Sequence, residues 1–263
     1  MSYRNKGSDV HRTKINNQGL FLFIYFKMKR LFILPFLLLS IALMAEEAQP
    51  YFTSPEMPNA LHYLPAPPKT NEMRFAYDTA QYNWGKRMRN TPRGEKARLD
   101  AEFSVERMAV IFSPVLGVEI SKTNTPHLWK LLTDATKTTN FACDSAKITY
   151  MRKRPYMFFH EPTLVPEDEE PLSHNGSYPS GHTTLGWTTA LILCEIYPDA
   201  QDALLKEGFE YGQSRVIAGF HWQSDVDAAR VVSSAAFARL HTSPTYLRQL
   251  RRAQLEFSHK HGK

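Results

Sequence analysis

Three short segments carry the side chains most capable of chemistry: Lys147-Ile-Thr-Tyr-Met-Arg-Lys-Arg154-Pro155, Gly176-Ser-Tyr-Pro179-Ser180-Gly181-His182-Thr183, and Ser214-Arg215-Val-Ile-Ala-Gly-Phe-His221-Trp-Gln-Ser-Asp225. In the second, Pro179 and Gly181 shape a turn opening onto a helix near Thr183. Free backbone N–H groups at that positive helix end, with the Ser180 hydroxyl, suit a phosphoryl oxygen. Ser and Gly also serve as a plain helix N-cap. In the third, His221 and Asp225 stand four apart at the start of a helix, which puts them on one face and lets the carboxylate accept from the imidazole Nδ1–H. Nε2 is then bare and outward, a nucleophile or base held in one tautomer. A purely structural His–Asp hydrogen bond uses the same spacing. Lys147, Arg154 and Arg215 could each be a solvated cation. Beside a helix-end anion site and two histidines, the three are better explained as a clamp on a tri-oxygen dianion. Arg supplies planar forks and Lys a point charge.

The elements that must position these residues read as helices. Thr125-Pro126 pairs an N-cap with proline at the first helical position, and Leu128, Leu131, Leu132 and Ala135 keep 3.6-residue spacing. Residues 183–197 are largely apolar and end at Pro198, as a buried core helix would. Residues 203–216 and 226–240 predict two further helices, with Gly219 at the break. No run of alternating strands and no internal repeat occurs. The expected fold is all-α, a single-domain helical bundle over residues 71–263 with its motifs at helix ends. Residues 46–70 hold six prolines and are expected to run extended as an arm on that domain.

A chain of 263 residues, 43% apolar and 22% charged, is globular rather than disordered or low-complexity. Its net charge of +6 resides entirely in residues 1–45, which hold seven Lys/Arg and one acid; the remainder carries 25 basic and 25 acidic side chains. A nucleic-acid partner is not expected of a domain without a basic surplus. Lys27, Lys29 and Arg30 precede an apolar run over residues 31–45, and Glu46-Glu47 follow. That is the pattern of an export signal cleaved near Ala45, although Leu43 is larger than the residue preferred there. Fifteen residues with an internal Pro35 would reach only about 22 Å as a helix, short of a membrane span. Met28 is the more natural start, which would make residues 1–27 a gene-start artefact. The mature chain is expected in the periplasm or secreted, with no stable membrane insertion. Cys143 and Cys194 sit in apolar helical contexts and are expected as free thiols. No Cys/His metal spacing is present.

The order Lys-x6-Arg-Pro, Pro-Ser-Gly-His, Ser-Arg-x5-His-x3-Asp resembles the signature of the phosphatidic acid phosphatase type 2 / vanadium haloperoxidase superfamily, and every fixed position is filled. The extended segment 176–183, with Arg89-Asn-Thr-Pro-Arg-Gly94, Leu64-Pro-Ala-Pro-Pro68 and His221-Trp-Gln-Ser-Asp-Val-Asp-Ala-Ala-Arg230, is similar to the bacterial class A non-specific acid phosphatases within it. The resemblance covers residues 60–260. It implies a phosphomonoesterase in which His221 attacks phosphorus and forms a phosphohistidine. Asp225 orients His221, and His182 protonates the leaving alcohol and then takes a proton from water. It further implies that Lys147, Arg154, Ser180, Gly181 and Arg215 hold the equatorial oxygens. Neither metal nor other cofactor is expected, the partners are small phosphomonoesters, and relatives are often homo-oligomers. An acid optimum would follow if His182 starts protonated while His221 keeps a free nitrogen.

The same residues could hold vanadate in a haloperoxidase, whose chains are generally much longer. A lipid phosphatase of the superfamily should carry several membrane helices, and a silent phosphate-binding protein should have lost His221 or His182. His160 and His174 are expected as surface or packing residues and Lys153 as solvated. Tyr156, Phe158 and Phe159 are expected as core rather than a substrate platform.

Overall fold

The structure, a computed structural model, describes Met1 and residues 47–262, so the export signal expected over residues 1–45 lies outside the described residues. Among those residues every regular element is helical. In chain order they are α1 (Met73–Met88), α2 (Pro92–Leu99), α3 (Val105–Leu116), α4 (Pro126–Asn140), α5 (Asp144–Tyr150), α6 (Pro155–Phe159), α7 (Glu169–Ser173), α8 (Gly181–Ile196), α9 (Gln201–Ala218), α10 (Gln223–Leu240) and α11 (Pro244–His261). Short 3-10 turns at Ser54–Glu56 and Ala60–His62 interrupt the otherwise extended proline-rich segment.

Helix α8 is the central strut. Ten of its sixteen residues are buried, because α9, α10, α4 and α11 all pack against it. Its contact with α9 is the most extensive, and small residues permit that closeness. A Cβ on Gly208 would stand 2.6 Å from Ala190 Cβ and 3.1 Å from the Gly186 carbonyl oxygen, so a larger residue would force the helices apart. The main core lies around this pair and takes Phe112 and Leu116 from α3, Leu128, Leu131 and Leu132 from α4, and Tyr246, Leu250 and Phe257 from α11.

One helix start keeps its expected N-cap residue but takes its cap from elsewhere, and a second differs from its sequence reading. Thr125 does occupy the N-cap of α4, but its hydroxyl accepts from Ser121 N–H and donates to the Glu119 carbonyl. The exposed N–H groups of His127 and Leu128 instead donate to the two carboxylate oxygens of Glu256 on α11, at 3.1 and 2.9 Å. Helix α10 begins at Gln223, so His221 belongs to the turn before the helix rather than to its first face.

The proline-rich segment is tied down at several points. Gln49 N–H donates to Asp134, the Tyr51 hydroxyl to Gln249, and the Tyr51 ring meets Tyr246 edge-on at 5.4 Å. Met57 and Ala60 enter a second apolar cluster with Ala142, Cys143, Tyr178 and Val232. Both cysteines are free thiols, Cys143 buried and Cys194 half-buried.

Candidate active site

The N-terminus of α8, the C-terminal turn of α9, the turn before α10, the helix α5 and the linker 151–154 converge at one end of the bundle. Gly219 makes the α9–α10 turn possible: its φ of +94° lies in the left-handed region, and a Cβ there would collide with the Arg89 guanidinium at 2.4 Å. The Gly219 turn swings the chain back, so that His221 N–H donates to the Arg215 carbonyl, bringing the two residues together. Ser180 N–H donates to the Asp225 carbonyl at 3.1 Å, which joins the start of α8 to the start of α10. All three sequence motifs thus meet in space.

His221 is held from both sides. Arg154 Nη1 lies 3.0 Å from His221 Nε2, and a guanidinium can only donate. Nε2 is therefore the bare nitrogen, and Nδ1 carries the proton, 3.3 Å from Asp225 Oδ2. The pairing is made across the helix cap rather than along one helix face. Asp225 is the third residue of α10 and reaches back to accept the Trp222 N–H at 2.9 Å. Burial lowers the proton affinity of His221 well below its ordinary value, reinforced by the positive charges of Arg154, Lys147 and Arg215.

His182 stands on the first turn of α8. Its Nε2–H donates to the Ala101 carbonyl at 2.9 Å, which leaves Nδ1 as the nitrogen able to meet a ligand. Phe103 packs beside the ring at 4.8 Å, and Tyr211 lies parallel at 6.2 Å. Burial and then Arg215 hold this imidazole too well below its usual titration range. Burial and the Arg215 charge thus oppose the protonated His182 expected from sequence, and an anion that offset those cations would favour it.

Those cations are costly. Arg215 is fully buried, and its three nitrogens meet no hydrogen-bond partner; the Phe220 ring lies 4.5 Å from its Cζ. Burial draws this guanidinium down to about 10, still charged throughout the neutral and acid range. Lys147 Nζ donates to the Gly176 carbonyl at 2.9 Å, and burial with the nearby Arg154 charge pulls it to about 8. Arg154 is anchored by donation to the Leu172 and Phe220 carbonyls. The buried Ser180 hydroxyl accepts from both the N–H and the hydroxyl of Thr183, so it caps α8 while retaining a proton to donate. Gly181 is the first residue of α8, and a Cβ there would sit 3.0 Å from Asn140 Oδ1.

Several neighbours carried no signal in the sequence. Arg152 Nη1 donates to Asp225 Oδ1 at 2.6 Å and its Nη2 to Asp78 Oδ2 at 2.7 Å. Asp78 lies on α1, 147 residues before Asp225, and no spacing rule could pair them. Asn140 Oδ1 and Ser177 Oγ are buried without partners. Conversely, His160 and His174 are exposed, the latter against Glu170, and Lys153 is exposed. Tyr156 packs on Phe220, while Phe158 and Phe159 join Phe75, Tyr82 and Trp222 in an aromatic cluster.

Residues 129–249, which contain every one of these motif positions, match the PAP2 superfamily. The chain is 46% identical over 209 residues to a non-specific acid phosphatase of Providencia stuartii, covering 79% of this chain and 84% of that protein. It is 44% identical over 219 residues to a non-specific acid phosphatase of Salmonella typhimurium, covering 83% and 88%. An acid phosphatase of Zymomonas mobilis is 32% identical over 217 residues, 82% of each chain.

Proposed function

The chain belongs to the PAP2 superfamily and is an acid phosphatase within it, and from that premise we propose that it hydrolyses a broad range of phosphomonoesters outside the cytoplasm, through a phosphohistidine on His221 and without a metal ion. The observation that carries this reading is the buried, unpartnered guanidinium of Arg215 beside two depleted imidazoles. A buried cation without hydrogen-bond partners is costly, and a ligand that completes it explains why the fold keeps it. A phosphoryl group brings two negative charges and three acceptor oxygens, and in this reading Lys147, Arg154, Arg215, Ser180 and the amide of Gly181 receive them. The charge that a metal ion supplies in other phosphatases is supplied here by those three cations.

The bare Nε2 of His221 is the nucleophile. As phosphorus approaches, the Arg154 N–H that occupied the lone pair transfers its hydrogen bond to a phosphoryl oxygen. The N–P bond forms while the P–O bond to the leaving group breaks. Asp225 offsets the positive charge developing on the imidazole. His182 gives its Nδ1 proton to the departing oxygen and later takes one from the water that attacks the phosphohistidine. An alcohol in place of that water would accept the phosphoryl group, a phosphotransferase side activity.

The test is hydrolysis of an aryl phosphate after treatment with a strong chelator, with vanadate as the five-coordinate mimic of the transition state. Activity should survive the chelator and be inhibited by vanadate. Loss on chelation, restored by added zinc or magnesium, would refute the metal-free mechanism.

A further inference from the structure

Behind His221 runs a chain of buried charges that the phosphate clamp does not use. Arg152, with a side chain only 8% exposed, forks between two fully buried carboxylates. One arm donates to Asp225 Oδ1 and to Ser224 Oγ at 2.8 Å, the other to Asp78 Oδ2. Asp78 in turn accepts the Ser224 N–H at 2.8 Å and the Ser224 hydroxyl at 2.6 Å. The Trp222 ring, 5.3 Å from Arg152 Cζ, covers the guanidinium.

We propose that Arg152 and Asp78 are positioning residues for the nucleophile, holding Asp225 so that the oxygen capping Trp222 N–H also faces His221 Nδ1. The inference rests on the reading of His221 as nucleophile. The His221–Asp225 contact is long at 3.3 Å, so the aim of the imidazole depends on how firmly the carboxylate is placed. Asp225 is also attracted by Lys147 and Arg154. Released from Arg152, the carboxylate would turn toward those cations. It would then lose the Nδ1 proton that fixes the tautomer and quench part of the charge meant for the phosphoryl group. The chain Asp78, Arg152, Asp225 carries a net charge of −1 in the free protein, which the positive charge on a phosphorylated His221 neutralises. Both arms of the Arg152 guanidinium are spent on acceptors behind His221.

The test compares the rate of phosphoenzyme formation, by rapid quench with an activated aryl phosphate, with the inhibition constant for inorganic phosphate. Asp78→Asn keeps an acceptor for Ser224 N–H but removes the charge and sets an NH2 donor against Arg152. Arg152→Met removes the fork, and Arg152→Lys restores charge without two-armed geometry. Each folded variant should form phosphoenzyme about tenfold more slowly or worse, with the phosphate inhibition constant within about twofold of the wild type. Arg152→Lys should fall between Arg152→Met and the wild type. Ser224→Ala, a small truncation that spares both carboxylates, should slow the step about threefold and covers the case in which the charge variants fail to fold. Wild-type rates in Asp78→Asn or Ser224→Ala would overturn the proposal. So would a loss matched by weakened phosphate binding, because that assigns Arg152 to the clamp. If the wild-type protein itself traps no phosphoenzyme, the nucleophile reading fails first and takes this inference with it.

Discussion

Replacing Arg215 by Met should make the ligand-free protein more stable while destroying its affinity for phosphate. A guanidinium drawn down by burial to about 10 is destabilised by about 3 kcal/mol, at about 1.4 kcal/mol per tenfold change in proton affinity. Met fills much of the same volume with no charge to desolvate, a replacement that stabilises buried ionic sites by about 1–4 kcal/mol. Against this stands the lost contact with the Phe220 ring, 4.5 Å away, worth about 1 kcal/mol. The net gain is about 2 kcal/mol, or about 4–8 °C in Tm for a domain of this size. Phosphate reverses the order. At a concentration one hundred times its Kd, the wild-type protein gains about 2.7 kcal/mol, whereas the variant should gain almost nothing. Thermal unfolding of both proteins, in phosphate-free buffer and across a phosphate titration, reads all four states. A lower Tm for the phosphate-free variant, or a phosphate-dependent shift equal to that of the wild type, would refute the reasoning that the site stores unfavourable charge for its ligand.

The two histidines should separate kinetically: His182→Ala should still trap phosphate from a dinitrophenyl ester, whose leaving group needs no proton, but lose far more rate with an alkyl ester. His221→Ala should trap none from either, and the reverse pattern would exchange the roles. Because burial depresses both imidazoles, the unfolded chain takes up protons below about pH 6.5 that the native state refuses, so stability present above that pH is lost on acidification. His182→Gln should therefore lose less stability than the wild type between pH 7 and pH 5 in urea titrations, and equal losses would contradict the depressed proton affinity. Gly219→Ala should destabilise by about 1–3 kcal/mol, measured by denaturant unfolding, because it strains φ and displaces Arg89, which bonds the Ile217 and Pro162 carbonyls. The exported protein should begin within a few residues of Glu46; N-terminal sequencing that returns an intact Met28 would argue against cleavage.

The helices that carry apolar stripes or clear stop signals were legible from sequence: α8, α9 and α10 lie within a few residues of where Pro198 and Gly219 place them. Helix α1 was not, because the side it buries is made of Asp78, Tyr82 and Gly85 rather than of aliphatic residues. The start of α4 was read correctly at Thr125-Pro126, but not the group that caps its first turn. Thr125 is the right residue type in the right place, yet a carboxylate 128 residues further on takes the Leu128 N–H. Within the site, the motif residues were found because their spacing is short and fixed. Arg152 sits between Lys147 and Arg154 with nothing local to distinguish it from Lys153, which points to solvent. Only the fold, by bringing α1 against the start of α10, separates the two.

The Glu256 cap also has a consequence for the order in which the chain matures. Helix α4 leads directly, through Asn140, into the segment that bears Lys147, and its first turn stays uncapped until the last helix arrives. During synthesis from the amino end, α11 emerges after every other described helix. Until it docks, the core helix beneath the catalytic end can form only with a frayed beginning. The α11 carboxylate of Glu256 therefore acts as a clasp on assembly, and Glu256→Ala should leave α4 open at its amino end.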